Sequence, residues 1–236
     1  MDYKDFYKEY EAAALKGEAG NAEEIAALPG KYLPILGAQF FAYCNTAKID
    51  YAVAKAKRIY KESGVLDSAT TFRILTRDLD SATRAVGYLE LVRLGLLSIS
   101  AMRDTIGEAY VSSNLPPEEI FIGVFDSLQR RGGVILPNEK DKAAYDALGD
   151  TVVVYRGQSY KDYLSQNFGA SWTLSEDTAR FFAYTYIGTP KGENIVLRAT
   201  ISKADILAVF MERGEKEIIV AGRCLRDIEI IDKRII

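Results

Sequence analysis

The stretch TVVVY, residues 151–155, marks the point at which this sequence changes from helical to extended patterning. β-Branched and aromatic residues in an unbroken run of this length are typical of a strand. Four further runs of the same kind follow it: NIVLRATI (194–201), DILAVF (205–210), EIIV (217–220) and DIEII (227–231). A single helical stretch, EDTARFFAYTYI (176–187), interrupts them. The second half of the chain therefore predicts a compact sheet whose strands are mostly antiparallel.

The residues before position 150 instead have apolar side chains at the three-to-four spacing that predicts helices. Helices fit about 35–63, 68–79, 82–92, 99–113 and 118–131. The residues that can begin or end them are Gly64, Asp67 or Ser68, Asp80 or Ser81, Pro116 with Pro117, and Gly132 with Gly133. Helices followed by strands form an α+β order. We divide it into a helical region, 1–115, and a sheet-containing domain, 116–236.

The sequence of 236 residues contains no histidine. This absence excludes a serine or cysteine nucleophile paired with histidine, a histidine general base and almost every zinc site, so we expect no metal. Cys44 and Cys224 are the only cysteines and predict neither a disulfide framework nor a metal cluster. The net charge of -3 provides no overall basic field for nucleic acid. Any chemistry is left to carboxylates, hydroxyls and arginine.

The sequence also carries no sign of a membrane or secretory segment. It has no run of 18 apolar residues, and its first 17 residues, MDYKDFYKEYEAAALKG, lack the apolar core of a signal peptide. At 48% hydrophobic residues the chain can build an ordinary core. We therefore expect a globular protein of the bacterial or host-cell cytoplasm with no membrane partner.

The run ERGEKEIIV, residues 212–220, places two glutamates at the start of a predicted strand. In an extended chain Glu215 and Glu217 would point to the same face, roughly 6 to 7 Å apart. Two like charges held that close suggest a function. A merely charged strand end is the alternative.

Two more polar groups stand at predicted strands. In VVVYRGQ, Arg156 ends an apolar strand and can offer a planar fork to a phosphate, while Gly157 lets a ligand approach the backbone. In SWT, Ser171 and Thr173 share one side of a short strand and Trp172 faces the other. Read singly, these are a solvated arginine and ordinary edge-strand hydroxyls.

Taken together and in this order, RG, SWT and EKE resemble the R-S-E signature of mono-ADP-ribosyltransferases. The resemblance covers roughly residues 118–236. In AAYDALGDTVVVYRGQ, SWTLSEDTARFFA and RGEKEIIV the chain is similar to a branch found in phages and bacteria, some of whose members are toxin-like effectors. It implies a mixed sheet split into two packed halves that clasp NAD in a cleft. The middle motif departs from the Ser-Thr-Ser of better-known toxins at Trp172 and Thr173.

The resemblance also implies roles for individual residues. Glu217 would hydrogen-bond the nicotinamide ribose and stabilise a cationic sugar, and Ser171 would orient Glu217 and touch the ribose. Arg156 would hold a phosphate of NAD, and the backbone of Gly157 would receive the carboxamide. Glu215 would face the acceptor and accept its proton.

A second set of implied contacts lies on the cofactor side, where Thr173, Arg180, Phe181 and Phe182 would line the nicotinamide and phosphate positions. In the family, a glutamate two residues before the catalytic one accompanies arginine acceptors. A carboxylate suits this chemistry because a guanidinium must lose a proton to become a nucleophile. The expected activity is therefore transfer of ADP-ribose from NAD to an arginine of a target protein.

Two other classes of function remain open. The domain could be a NAD glycohydrolase or a transferase acting on nucleic-acid bases, in which water or a base receives the ribosyl group. It could also be a catalytically inactive phage or interaction protein whose helical region does the work. Release of free nicotinamide, with and without a protein acceptor, separates these classes.

Overall fold

A computed structural model describes Glu9 and residues 39–114, 116–186, 188–211 and 214–236. The chain divides into two compact units, Met1–Pro116 and Pro117–Ile236. The predicted α+β order is confirmed, since a helical region precedes an antiparallel six-stranded sheet. Residues 35–38 of the first predicted helix and Ile187 of the helical stretch between the strands lie outside the described residues. Within the described ranges no helix is long and apolar enough to cross a membrane.

The first unit contains helices α1 (Gln39–Ser63), α2 (Ser68–Arg73), α3 (Arg84–Arg93) and α4 (Ile99–Val111), with a π-helical turn (Ile74–Asp78) after α2. Gly64 follows α1 at φ 75°, and the Asp67 side chain caps α2 by accepting the N–H of Thr70. The helices bury a core of Leu66, Ile74, Leu75, Tyr88, Leu91 and Ile106. The apolar stripes of the sequence are thus core in this unit.

The second unit begins with two helices, α5 (Glu118–Gly132) and α6 (Glu139–Asp146), and continues through β1 (Thr151–Ser159), α7 (Tyr160–Leu164), β2 (Ser171–Thr173), α8 (Glu176–Tyr184), β3 (Glu193–Ser202), β4 (Ile206–Phe210), β5 (Glu217–Val220) and β6 (Arg226–Ile235). The short helices α6 and α7 were not predicted. Each has a side-chain cap, because Asn138 accepts the N–H groups of Lys140 and Asp141, and Ser159 accepts that of Asp162.

The six strands lie in the order β4-β5-β2-β1-β3-β6. All pairs of these six strands are antiparallel, as the prediction of a mostly antiparallel sheet expected, and Ile135 forms an isolated parallel bridge with Ala208 of β4. β1 pairs with β3 along its whole length, but it meets β2 through one residue pair, Tyr155 with Thr173. The sheet is therefore two three-stranded halves, β4-β5-β2 and β1-β3-β6, joined at a single point.

The two faces of the sheet are covered differently. One face buries the main apolar core, which includes Val154, Trp172 and Ile218. The other is covered by α8, where Ala179 and Ala183 pack against the sheet. Tyr155 packs in this second cluster, and its partner Thr173 is in turn paired with Glu217. Because neighbours paired across a sheet share a face, Thr173 and Glu217 lie on the α8 side.

Gly157 is the residue that lets α8 approach β1. A Cβ built at Gly157 would collide with the carbonyl oxygen of Ala179 and the amide nitrogen of Ala183. Backbone of the helix, rather than a ligand alone, thus occupies the space that the missing side chain leaves. This gives a packing reason for the glycine that the sequence interpretation assigned to ligand approach.

Replacing this glycine tests the close contact. We expect Gly157→Ala to lower the free energy of unfolding by about 1–3 kcal/mol, because the backbone of a helix cannot move aside as a flexible side chain can. Chemical denaturation followed by circular dichroism measures the change. Gly123→Ala is the matched control, since a Cβ at Gly123 meets nothing within 4 Å. Equal midpoints for the two variants would show that α8 does not constrain position 157.

Candidate functional site

One cleft in the second unit brings together residues from β1, β2, α8 and the segment entering β5. Its volume is about 360 Å³. Six residues that the sequence singled out line it: Arg156, Gly157, Ser171, Thr173, Glu215 and Glu217. They come from three strands and a turn that are distant in the sequence. The fold therefore assembles one site from the three separate motifs.

Glu217 is the buried acid of this cleft. It begins β5, directly opposite Thr173 on β2, and only 8% of its surface is exposed. Ser171 Oγ donates a hydrogen bond to Glu217 Oε1 at 2.5 Å. A carboxylate in a low-dielectric setting requires such a partner, and the bond also fixes its orientation. Glu217 can thus present an oriented carboxylate to the cleft.

Glu215 lies in a turn and not on the strand. Lys216, between the two glutamates, has φ 49°, and Gly214 has φ 73°. Since β5 starts only at Glu217, the two-residue alternation of extended chain does not apply. The prediction that both glutamates share one face of a strand is therefore wrong in its geometry. Both nevertheless line the cleft.

The Thr173 hydroxyl is engaged by the protein itself. Its Oγ1 donates to the carbonyl oxygen of Glu215 at 2.6 Å and accepts the N–H of Ser175 at 3.0 Å. Thr173 is also only 7% exposed. The sequence interpretation gave this hydroxyl a contact with the cofactor, whereas in the structure it joins two backbone segments.

Arg156 lies within β1, which continues to Ser159, and not at the end of a strand as predicted. Its Nε donates to Gln158 Oε1 at 3.1 Å, and its Nη1 donates to the Ser171 carbonyl at 2.5 Å. The guanidinium packs on Gly169, where a Cβ would come within 2.6 Å of Arg156 Cζ. These contacts tie Arg156 to β2 and engage two of the five N–H groups of its fork.

Arg180 and Phe181, predicted on the cofactor side, do not line the cleft. Arg180 pairs with Glu176 at 2.7 Å and with Asp232 on β6. The hydrogen bonds that Arg180 donates to the Glu176 carboxylate raise the pKa of the Arg180 guanidinium. Phe181 is 46% exposed and packs edge-on against Phe182. Its neighbour on the helix, Phe182, faces the cleft instead.

Several lining residues were missed by the sequence interpretation. Glu118, in the first turn of α5, accepts the N–H of Ala170 through Oε2 at 3.0 Å. Gln158 is 8% exposed and holds Arg156 as described. Tyr186 follows α8 and packs 5.4 Å from Phe182, measured between ring centroids. The sequence could have indicated Gln158 as a cleft residue, since it stands two residues from Arg156 on one strand. It could not have indicated Glu118, because its partner Ala170 lies far along the chain.

Comparison with protein-family models, curated proteins and solved structures finds no match to this chain. The cleft holds a buried carboxylate bonded by a serine, an arginine of β1 whose guanidinium contacts the backbone of β2, and a second carboxylate in the turn before β5.

Proposed function

We propose that this chain is a mono-ADP-ribosyltransferase, which cleaves NAD at the bond between nicotinamide and ribose and transfers ADP-ribose to an arginine of a target protein. The observation that carries the proposal is the hydrogen bond of 2.5 Å from Ser171 to the buried Glu217. Arg156 and Glu215 line the same cleft. Arg156, Ser171 and Glu217 supply the arginine, serine and glutamate of the R-S-E pattern that the sequence resembles.

The arrangement of the sheet supports the finer fold assignment, an ADP-ribosyltransferase core. In that core two half-sheets clasp a dinucleotide between them. Here β1 and β2 are paired only through Tyr155 and Thr173. Arg156, one residue beyond that pair, reaches across to the backbone of Ser171. The cleft lined by Arg156, Ser171 and Glu217 is where the dinucleotide would lie.

The chemistry of NAD cleavage fits a site built without histidine. The bond from ribose C1′ to the pyridinium nitrogen breaks, and its electron pair goes to the nitrogen, so that neutral nicotinamide leaves. No general acid is needed for such a leaving group. The sugar becomes oxocarbenium-like, as in glycoside cleavage. A preoriented negative charge beside it stabilises the transition state more than the substrate.

Glu217 supplies that charge in the proposed mechanism. Its carboxylate also accepts a hydrogen bond from a ribose hydroxyl, which fixes the sugar before the bond breaks. Ser171 holds the carboxylate through the bond already present in the structure. Arg156 binds a phosphate of NAD with N–H groups that its contacts to Gln158 and Ser171 leave over.

Transfer requires a second base. A guanidinium nitrogen of the acceptor arginine attacks C1′ as the glycosidic bond opens, and the new C1′–N bond forms with inversion of that carbon. The proton lost from the guanidinium goes to the Glu215 carboxylate. Glu215 lines the cleft from the turn before β5 and is suited to face an incoming side chain. This is why we assign an arginine acceptor.

The test is incubation of the purified protein with labelled NAD, alone and with host lysate, followed by mass spectrometry of labelled protein. We expect the lysate to raise nicotinamide release well above the slow release with water alone, and the label to sit on arginine. Release that the lysate does not raise would instead indicate a glycohydrolase, and label removed by nuclease would indicate a nucleic-acid acceptor. No release under either condition would leave a binding or interaction protein.

The role of Arg156 can be tested by binding alone. We expect Arg156→Lys to weaken the affinity for ADP-ribose about tenfold, because an ammonium cannot copy the planar fork. Isothermal calorimetry of the two proteins measures this change. Arg198→Lys is the matched control, since Arg198 is paired with Glu229 at the edge of the sheet. Unchanged affinity in the Arg156 variant would rule out the phosphate contact.

A further inference from the structure

Ser171 and Thr173 each contact a different one of the two acidic residues of the cleft. The Ser171 hydroxyl contacts the Glu217 side chain, and the Thr173 hydroxyl contacts the Glu215 backbone. We propose that Thr173 is a positioning residue that fixes Glu215, the base for transfer, without itself contacting NAD. This inference rests on the proposed function. It assigns Thr173 a different role from that of Ser171 in the same strand, β2.

The turn that carries Glu215 is constrained and needs external support. Gly214 and Lys216 both have positive φ, and for lysine this left-handed conformation is unfavourable because its Cβ crowds the following carbonyl. Such a conformation persists where the surroundings hold it. Two hydrogen bonds from β2 and the residue after it do so. Thr173 Oγ1 donates to the Glu215 carbonyl, and the Leu174 N–H donates to the Lys216 carbonyl at 3.1 Å.

The Thr173 hydroxyl also connects this turn to α8. It accepts the N–H of Ser175, the residue whose own side chain caps α8 by accepting the N–H of Thr178. The hydroxyl is therefore both donor and acceptor in a buried position. Valine would keep the shape of the side chain but leave the Glu215 carbonyl and the Ser175 N–H without this partner. Serine would preserve both bonds.

The position of Glu217 does not depend on the Thr173 hydroxyl. The backbone pairing of β2 with β5 places Glu217 opposite residue 173 whatever the side chain there. Its carboxylate is held by Ser171. Loss of the Thr173 hydroxyl should therefore move Glu215 while leaving the carboxylate of Glu217 in place. The two activities of the cleft should separate.

The experiment compares Thr173→Val and Thr173→Ser with the unchanged protein, using NAD with water alone or with a small guanidine such as agmatine as acceptor. For the valine variant we expect kcat/KM for transfer to fall roughly 10- to 100-fold, as a misplaced base predicts, while hydrolysis falls less than about threefold. The serine variant should retain transfer. Thr200→Val is the control for loss of a threonine hydroxyl, since Thr200 bonds Asp227 on the other half-sheet.

Other outcomes overturn the inference. Equal losses of transfer and hydrolysis, with a raised KM for NAD, would place Thr173 among the groups that bind the dinucleotide. A serine variant as impaired as valine would mean that the hydroxyl is not what matters. Hydrogen exchange of residues 214–217, read by mass spectrometry, supplies a measure that needs no activity. It should accelerate in the valine variant alone.

The exchange measurement also separates this inference from the proposed function. If the unchanged protein cleaves no NAD, the proposed function fails, while faster exchange in the valine variant would still establish the anchoring of the turn. If NAD is cleaved and transferred but exchange and transfer are both unaffected by valine, the positioning role fails and the proposed function stands.

Discussion

Glu217→Gln should lower the rate of nicotinamide release from NAD by roughly three powers of ten, and hydrolysis and transfer should fall together. The substitution keeps the size of the side chain and leaves an oxygen for the Ser171 hydroxyl to contact. It removes the negative charge. Since the oxocarbenium-like sugar is the species that this charge stabilises, the effect should appear mainly in kcat and little in KM for NAD.

The control for this change is Glu229→Gln, the same substitution at a residue of β6 that forms an exposed ion pair with Arg198 of β3. We expect it to leave nicotinamide release within about twofold of the starting value, as is usual for surface ion pairs. Thermal unfolding of both variants shows whether each remains folded. A Glu217→Gln protein that remains folded and cleaves NAD at the original rate would disprove the assigned role of this carboxylate.

The sequence was sufficient where a local pattern determines structure. Alternation along SWT placed Trp172 in the core and Ser171 and Thr173 on the opposite face, and the structure has this arrangement. The helix after it begins at Glu176 behind its serine cap. The apolar strand β1 was predicted to end at Arg156. Its pairing with β3 continues nevertheless to Ser159.

The sequence was insufficient where distant contacts decide a side chain's position. Arg180 was predicted on the cofactor side, but Asp232 on β6 and Glu176 one turn earlier hold it elsewhere. The turn at Lys216 was also missed, because lysine has no preference for the left-handed region and the bonds that support it come from the distant residues Thr173 and Leu174. The sequence could thus name residues of the cleft better than it could give their geometry.

Glu215→Gln should separate the two reactions that Glu217→Gln removes together. We expect transfer to arginine or agmatine to fall at least about 100-fold, within the range typical of lost general-base catalysis, since the amide cannot accept the guanidinium proton. Hydrolysis should remain near its original rate. Its slow step, departure of nicotinamide, relies on Glu217, and Glu215 is carried on a separate turn.

The measurement is the ratio of ADP-ribosyl agmatine to free ADP-ribose formed from the same NAD, by chromatography. A ratio has the advantage that partial misfolding lowers both products and leaves it unchanged. Glu119→Gln, an exposed residue of α5, serves as the matched substitution outside the cleft. If Glu215→Gln lowers hydrolysis and transfer equally, then both glutamates serve the same step, and the acceptor chemistry must come from another group. A lowered ratio would instead locate the proton acceptor on the turn before β5, because no other step of the reaction needs a base there.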